Sequence, residues 1–150
     1  MIGKRILLIA VLAYLLAWPL PSLLVTFTAL GGPTTEVIRG WEATRWALSP
    51  VWPGGRHFGA GWLHTLLILA SGLSNLVFVL AAWLAWRRPL QVPRNLAWAV
   101  WGAAVVDLHW LVFAGAGASN LRIGYYLWVG SFALLALALG RLHRESPLAS

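Results

Sequence analysis

The sequence predicts an all-α polytopic membrane protein: an antiparallel bundle of four transmembrane helices, with a short amphipathic helix in the outer 31–60 segment. Three observations carry that class. Of 150 residues, 60% are hydrophobic and 10% charged, against roughly 45–50% and about 25% in soluble globular chains, and the mean hydropathy is +0.76. The apolar residues gather in four runs, about 6–30, 61–86, 95–115 and 121–140, each close to the roughly 20 residues that a helix needs to cross hydrocarbon. Most charged residues fall in the short segments between and beyond these runs. The length suits a single transmembrane domain.

The first run follows a basic tail, Lys4 and Arg5. It is longer than the roughly 7–15 apolar residues of a secretory signal, so it reads as a retained span. Pro19 and Pro21 predict a kink in it, because proline removes a helix hydrogen bond and clashes with the preceding turn. Tyr14, Trp18 and Ser22 follow at spacings of four and would share one helical face.

The segment 31–60 is the longest polar connection. Thr34 and Thr35 are candidate caps for a helix from about Glu36 to Leu48, ending before Pro50. Val37, Ile38, Trp41 and Leu48 give it a partial apolar face, which suits a helix lying at the membrane surface. Residues 53–61 read as a flexible turn rich in glycine.

The second run, 61–86, has its polar residues in register. His64, Ser71 and Asn75, with Gly61 and Ile68, form one helical stripe. The stripe should face protein, since lipid offers polar atoms no partners. Residues 91–94 make a tight connection to the third span. Residues 115–120 are loop-like, with Ser119 or Asn120 as the N-cap of the fourth span, whose first half carries Tyr125, Tyr126 and Trp128.

Orientation follows from basic residues. Lys4, Arg5, Arg87, Arg88, Arg94, Arg141 and Arg144 fall on one side, and Arg39, Arg45, Arg56 and Arg122 on the other. The bias predicts both termini in the cytoplasm, in a bacterial inner (plasma) membrane, with 31–60 outside. Trp41, Trp46, Trp52 and Trp62 would mark the outer interface and Trp83, Trp86 and Trp98 the inner one.

Composition and motifs also exclude function classes. The net charge of +7 and pI near 11.4 would suit nucleic acid, but the cations form no stripe or arm, so no nucleic-acid partner is expected. With no cysteine there are no disulfides, thiolate ligands or cysteine nucleophiles. Phosphate-binding loop, dinucleotide fingerprint, zincin helix and haem-attachment motifs are absent, so no metal or other cofactor is expected.

What remains is a polar cluster in the outer half of the spans. Asp107 is the one carboxylate inside an apolar run. A charge at that depth is costly, and such groups face a bundle interior, a partner or a cavity. At 1.5 Å per residue, His64 lies about 5–8 Å below the outer end, His109 about 8–12 Å, and Asp107 about 3 Å deeper. Arg122 opens the fourth span and could reach Asp107 as a structural ion pair. Asp107 and His109 are about 200° apart on a regular helix and should face different neighbours. The candidate ligand-binding or polar cluster is therefore Asp107, His109, His64, Arg122, Ser71, Asn75, Trp110 and Tyr125, with no catalytic residue assigned.

Three classes of function fit this pattern. The leading expectation is a non-catalytic membrane protein, either an accessory subunit of an assembly or a binder of a lipid-like ligand in a cavity opening to the outer leaflet. The alternatives are an enzyme acting on a lipid or quinone with Asp107 or His64 as acid or base, and a small transporter using Asp107 as a proton site. The expected partners are membrane lipids, a lipid or quinone ligand, and a membrane-protein partner or second copy.

Overall fold

The fold is that of a computed structural model describing residues 2–29, 32–51, 61–113 and 120–145. It is mostly helical: α1 (Ile2–Ala17), α2 (Gly40–Ala47), α3 (Gly61–Arg87), α4 (Arg94–Asp107), α5 (Trp110–Phe113) and α6 (Ile123–Arg144), with two strands, β1 (Pro21–Ala29) and β2 (Gly32–Arg39). Among the described residues three helices are long and apolar enough to cross a membrane: Gly61–Arg87, Arg94–Val112 (α4 continued through α5) and Ile123–Arg144.

The helices pair antiparallel. The N-terminal end of α1 meets the C-terminal end of α6, where the Gly3 backbone N–H donates to Glu145 Oε1 at 3.2 Å. At the same end His143 Nδ1 donates to the Val92 carbonyl at 3.0 Å, tying α6 to the turn between α3 and α4. A shared core of Leu7, Ala10, Phe78, Ala81, Val100, Ala104, Phe132, Leu135 and Leu139 fills the space between the helices. Small residues allow close approach, as membrane helices require when lipid supplies no hydrophobic drive. A Cβ on Gly3 would stand 2.8 Å from Leu142. Leu12, Leu66, Leu73, Leu76, Val79 and Leu137 are exposed, an outer surface suited to hydrocarbon.

The first expected span is corrected by the structure. Residues 6–30 do not make one kinked helix: α1 stops at Ala17 and the chain turns into β1, which pairs antiparallel with β2 from Pro21↔Arg39 to Ala29↔Gly32. Pro19 and Pro21 end the helix because two prolines within one turn remove two donors and clash with the carbonyls before them. Val25 and Thr26, both β-branched, then suit a strand. The class is therefore mostly helical with a two-stranded sheet, not all-α. Ser22, expected on the Tyr14 and Trp18 face, lies in β1 instead.

The outer helix is also shorter than expected. β2 takes Thr34, Thr35 and Glu36 into the hairpin, and α2 begins at Gly40. Its cap is not a threonine. The Glu42 carboxylate accepts the Arg39 backbone N–H at 2.8 Å, and the first helical N–H groups, of Gly40 and Trp41, donate to the Leu20 and Trp18 carbonyls at 3.2 Å each. The turn after α1 thus satisfies donors that every helix start leaves open. The expected turn at 53–60 and the loop residues 115–119, including Ser119, lie outside the described residues. The observed N-cap of α6 is Arg122, not Asn120.

Candidate functional site: a cavity beneath the hairpin

The hairpin and α2 sit over one end of the helices and enclose a cavity of about 560 Å³. Its roof is Leu23, Leu24, Val25 and Thr26 of β1, with Ile38, Ala43, Thr44 and Trp46. The walls and floor come from the helices: His64, Ile68, Ser71 and Asn75 of α3, Trp110 of α5, and Tyr125 and Trp128 of α6. The hairpin is anchored to α6, where the Arg122 backbone N–H donates to the Ser22 carbonyl at 3.0 Å and Leu23 bridges Leu121.

The predicted stripe on α3 is the polar wall of this cavity. Ile68, Ser71 and Asn75 are buried and His64 is partly so, while Gly61 at the helix start is exposed. Asn75 is the hub. Its Oδ1 accepts Tyr14 Oη at 2.9 Å and Trp128 Nε1 at 2.9 Å, and its Nδ2 donates to the Gly72 carbonyl at 3.2 Å. One side chain therefore links α1, α3 and α6. Ser71 Oγ accepts Trp110 Nε1 at 3.1 Å, joining α3 to α5.

The third span breaks at the stretch Asp107–Trp110. From His109 on, backbone bonds run three residues back: His109 N–H to Val106 O, Leu111 N–H to Leu108 O and Val112 N–H to His109 O. Such a short 3₁₀ turn changes which carbonyls are paired, and side chains add bonds to them. Tyr125 Oη donates to the Asp107 carbonyl at 3.0 Å. His109 Nδ1 lies 2.7 Å from the Val106 carbonyl; a carbonyl only accepts, so Nδ1 carries the proton. Irregular backbone at membrane depth is tolerated where protein re-satisfies it in this way.

The break also changes side-chain directions. Leu108 is 41% exposed, while Asp107 and His109 on either side of it both turn inward. A regular helix would have set them about 200° apart; with the helix broken both face inward, though toward different neighbours. His109 stands with its ring centroid 6.3 Å from that of His64 and 4.8 Å from Trp110. Asp107 is 0% exposed; its Oδ1 lies 3.1 Å from Ser74 Oγ, which in turn donates to the Ser71 carbonyl at 2.6 Å. Asp107 Oδ2 is buried with no hydrogen-bond partner among the described residues.

No family model matches the chain, and no solved structure does. A stretch of 56 residues, 37% of the chain, is 41% identical to part of Protein UL27 of human cytomegalovirus strain Merlin and 39% identical in strain AD169. The chain spans 9% of the length of these curated relatives. That share is too small to assign a family.

The eight residues expected to cluster thus divide by place. His64, Ser71, Asn75, Trp110 and Tyr125 line the cavity. His109 stands behind His64, and Asp107 behind Ser71 and Ser74. Arg122 does not join them: its side chain is exposed, and among the described residues no cation pairs with Asp107. A double-mutant cycle should therefore find Asp107→Asn and Arg122→Gln independent in detergent unfolding. A coupling in which the double variant recovers stability lost by each single one would restore the ion pair.

Four further residues of the site, Ser74, Tyr14, Thr44 and Trp128, lie outside the cluster expected from the sequence. A signal existed for two of them. Ser71, Ser74, Asn75 and Phe78 recur at helical spacing, and Trp128 lies three residues after Tyr125 on the same face. Thr44 and Tyr14 reach the site from other elements. Among the described residues, no group of three or more histidines and carboxylates gathers to hold a metal ion. The chemistry on display is hydrogen bonding by imidazole, hydroxyl, amide and indole groups around an apolar space.

Proposed function

We propose that the protein is a non-catalytic integral membrane protein of the bacterial inner membrane that binds a lipid-like ligand in the cavity beneath the hairpin. In this reading α1 and the three longer helices form a four-helix crossing, both termini are cytoplasmic, and the cavity opens toward the outer leaflet. The observation that carries it is the cavity itself. At about 560 Å³ it falls within the roughly 300–1,000 Å³ typical of small-molecule sites, which are mostly apolar with a few orienting polar groups. Ile68, Ala43, Leu24 and Val25 supply apolar wall; His64, Ser71 and Tyr125 supply hydrogen-bonding groups at one side of it.

The orientation rests on charge. Gly3 and Glu145 meet at one end of the molecule, and Lys4, Arg5, Arg87, Arg88, Arg94, Arg141 and Arg144 belong to that end, opposite the hairpin. The positive-inside bias assigns that end to the cytoplasm. α1 spans about 24 Å at 1.5 Å per residue, against a hydrocarbon core of about 30 Å. Its partners α3 and α6 and the hairpin at its C-terminal end would cover the difference.

A quinone is the ligand that the adjoining histidines favour, because its carbonyl oxygens accept hydrogen bonds while its ring and tail are apolar. Native mass spectrometry of the protein in mild detergent, with ubiquinone analogues and phospholipids added in turn, tests the reading. Wild type should bind one of the two classes in a mode that Ala43→Phe, which fills the cavity without removing a polar group, weakens at least about tenfold. Equal binding by wild type and the filled variant overturns it.

A further inference from the structure

The end of the molecule opposite the cavity carries a second concave feature. Lys4, Arg5 and Leu8 of α1 face Trp86 of α3 across a depression of about 350 Å³. The two helices touch nearer the other end, where Tyr14 stacks on Phe78 at 4.1 Å and donates to Asn75. Toward their charged ends the depression is lined from both helices.

The surface leading into it is graded. On α1, Lys4, Leu8, Leu12 and Leu15 recur at spacings of four, four and three, so they share one face, and all four are exposed. On α3, Trp86 and Val79 are exposed on the other side. Two cations therefore stand at the mouth of a furrow whose continuation toward the middle of the protein is hydrocarbon. Arg87 does not add to the furrow; its guanidinium stands 6.0 Å over the ring of Trp83 on its own helix. Glu145, the acid at this end, holds the Gly3 backbone N–H.

From this arrangement we infer that the furrow between α1 and α3 is a binding site for one anionic phospholipid of the facing leaflet. The phosphate group lies against Lys4 and Arg5. One acyl chain runs along Leu8 and Leu12, with the Trp86 indole at headgroup level, where amphipathic rings reside. Basic pockets between membrane helices suit acidic headgroups through charge and depth together. A second copy of the chain fits the furrow poorly, since each copy brings a net charge of +7. This site is separate from the cavity under the hairpin and does not depend on what that cavity holds.

The test uses the full chain in mild detergent, with native mass spectrometry reading stoichiometric retention of phosphatidylglycerol or phosphatidylcholine of matched acyl chains. Wild type should retain phosphatidylglycerol in preference to phosphatidylcholine. Lys4→Gln with Arg5→Gln should weaken phosphatidylglycerol about 30-fold, the loss expected for two basic residues near an anionic headgroup. Arg141→Gln with Arg144→Gln removes the same charge from the same end but outside the furrow, and should change binding by less than about threefold, as a diffuse screened effect. Equal retention of both lipids overturns the inference. So does an equal loss in the two double variants, which would mean a diffuse charged surface. Displacement of the lipid by an equimolar amount of glycerol 3-phosphate would show that the phosphate binds without help from an acyl chain, and overturns it as well.

Discussion

Asn75→Leu is expected to lower stability by about 2–4 kcal/mol in detergent unfolding, the largest loss of any single polar substitution in this protein. The side chain accepts two donors, Tyr14 Oη and Trp128 Nε1, both at 2.9 Å. Leucine fills similar space but leaves both donors unpaired: Tyr14 Oη is buried and Trp128 Nε1 is half-buried at the cavity wall, and a fully buried orphan costs about 1–3 kcal/mol. Membrane helices measure lower, about 0.6 kcal/mol per hydrogen bond, because the unfolded helices find other partners. The upper part of the range therefore rests on Tyr14, which is buried and stacked on Phe78. A sign reversal gives the sharper test. Tyr14→Phe should destabilise the wild type, since it removes a satisfied bond, yet stabilise Asn75→Leu, since it removes an orphaned donor. If Tyr14→Phe has the same sign in both backgrounds, Asn75 is not the hub described here.

Two glycines on α6, six residues apart, should respond to the same substitution with opposite signs. Gly124→Ala is expected to destabilise by about 1–3 kcal/mol, the usual cost of overpacking. The added Cβ would stand 2.6 Å from Ser22 Oγ, 2.7 Å from the Pro21 carbonyl and 2.8 Å from the Leu20 carbonyl. Two of those three atoms are backbone of the turn into the hairpin and cannot swing aside. Gly130→Ala meets nothing within 4 Å and should stabilise by about 0.5–1 kcal/mol, the helical advantage of alanine over glycine.

The consequence of Gly124→Ala reaches the cavity. The same turn carries Ala17 and Trp18, and a Cβ on Gly40 would stand 2.5 Å from the Ala17 carbonyl. Both glycines therefore clamp the α1–β1 turn, and that turn carries the roof. Displacing it should reduce ligand retention along with stability, whereas Gly130→Ala should leave retention unchanged. Retention that survives Gly124→Ala would show that the hairpin does not shape the site.

Much of the candidate site was legible in the chain. The α3 stripe of His64, Ser71 and Asn75 follows from 3.6-residue periodicity, and it lines the cavity. Asp107 was identifiable because a carboxylate in an apolar run has few tolerable environments. Its partner was not identifiable. Arg122 was the nearest cation by depth, but the structure gives Asp107 the Ser74 hydroxyl, because side-chain direction at a broken helix depends on how the turn packs. Tyr125 Oη closing the Asp107 carbonyl is part of that packing.

The sequence by itself indicated four spans, of which the last three correspond to helices of membrane-spanning length, together with the inward face of α3 and a bias of cations toward one end. These depend on local period and composition, which any short window of the chain contains. Only the tertiary structure decided that residues 21–39 form a hairpin instead of extending the first helix. An apolar run without a clear period satisfies either conformation. The choice turned on contacts remote in sequence: pairing of Leu24 with Val37, the bond from Arg122 to Ser22, and the seating of Gly124 on the turn. A strand's backbone groups are satisfied by another segment and a helix's by its own, so the cavity roof became visible only once the whole chain was folded.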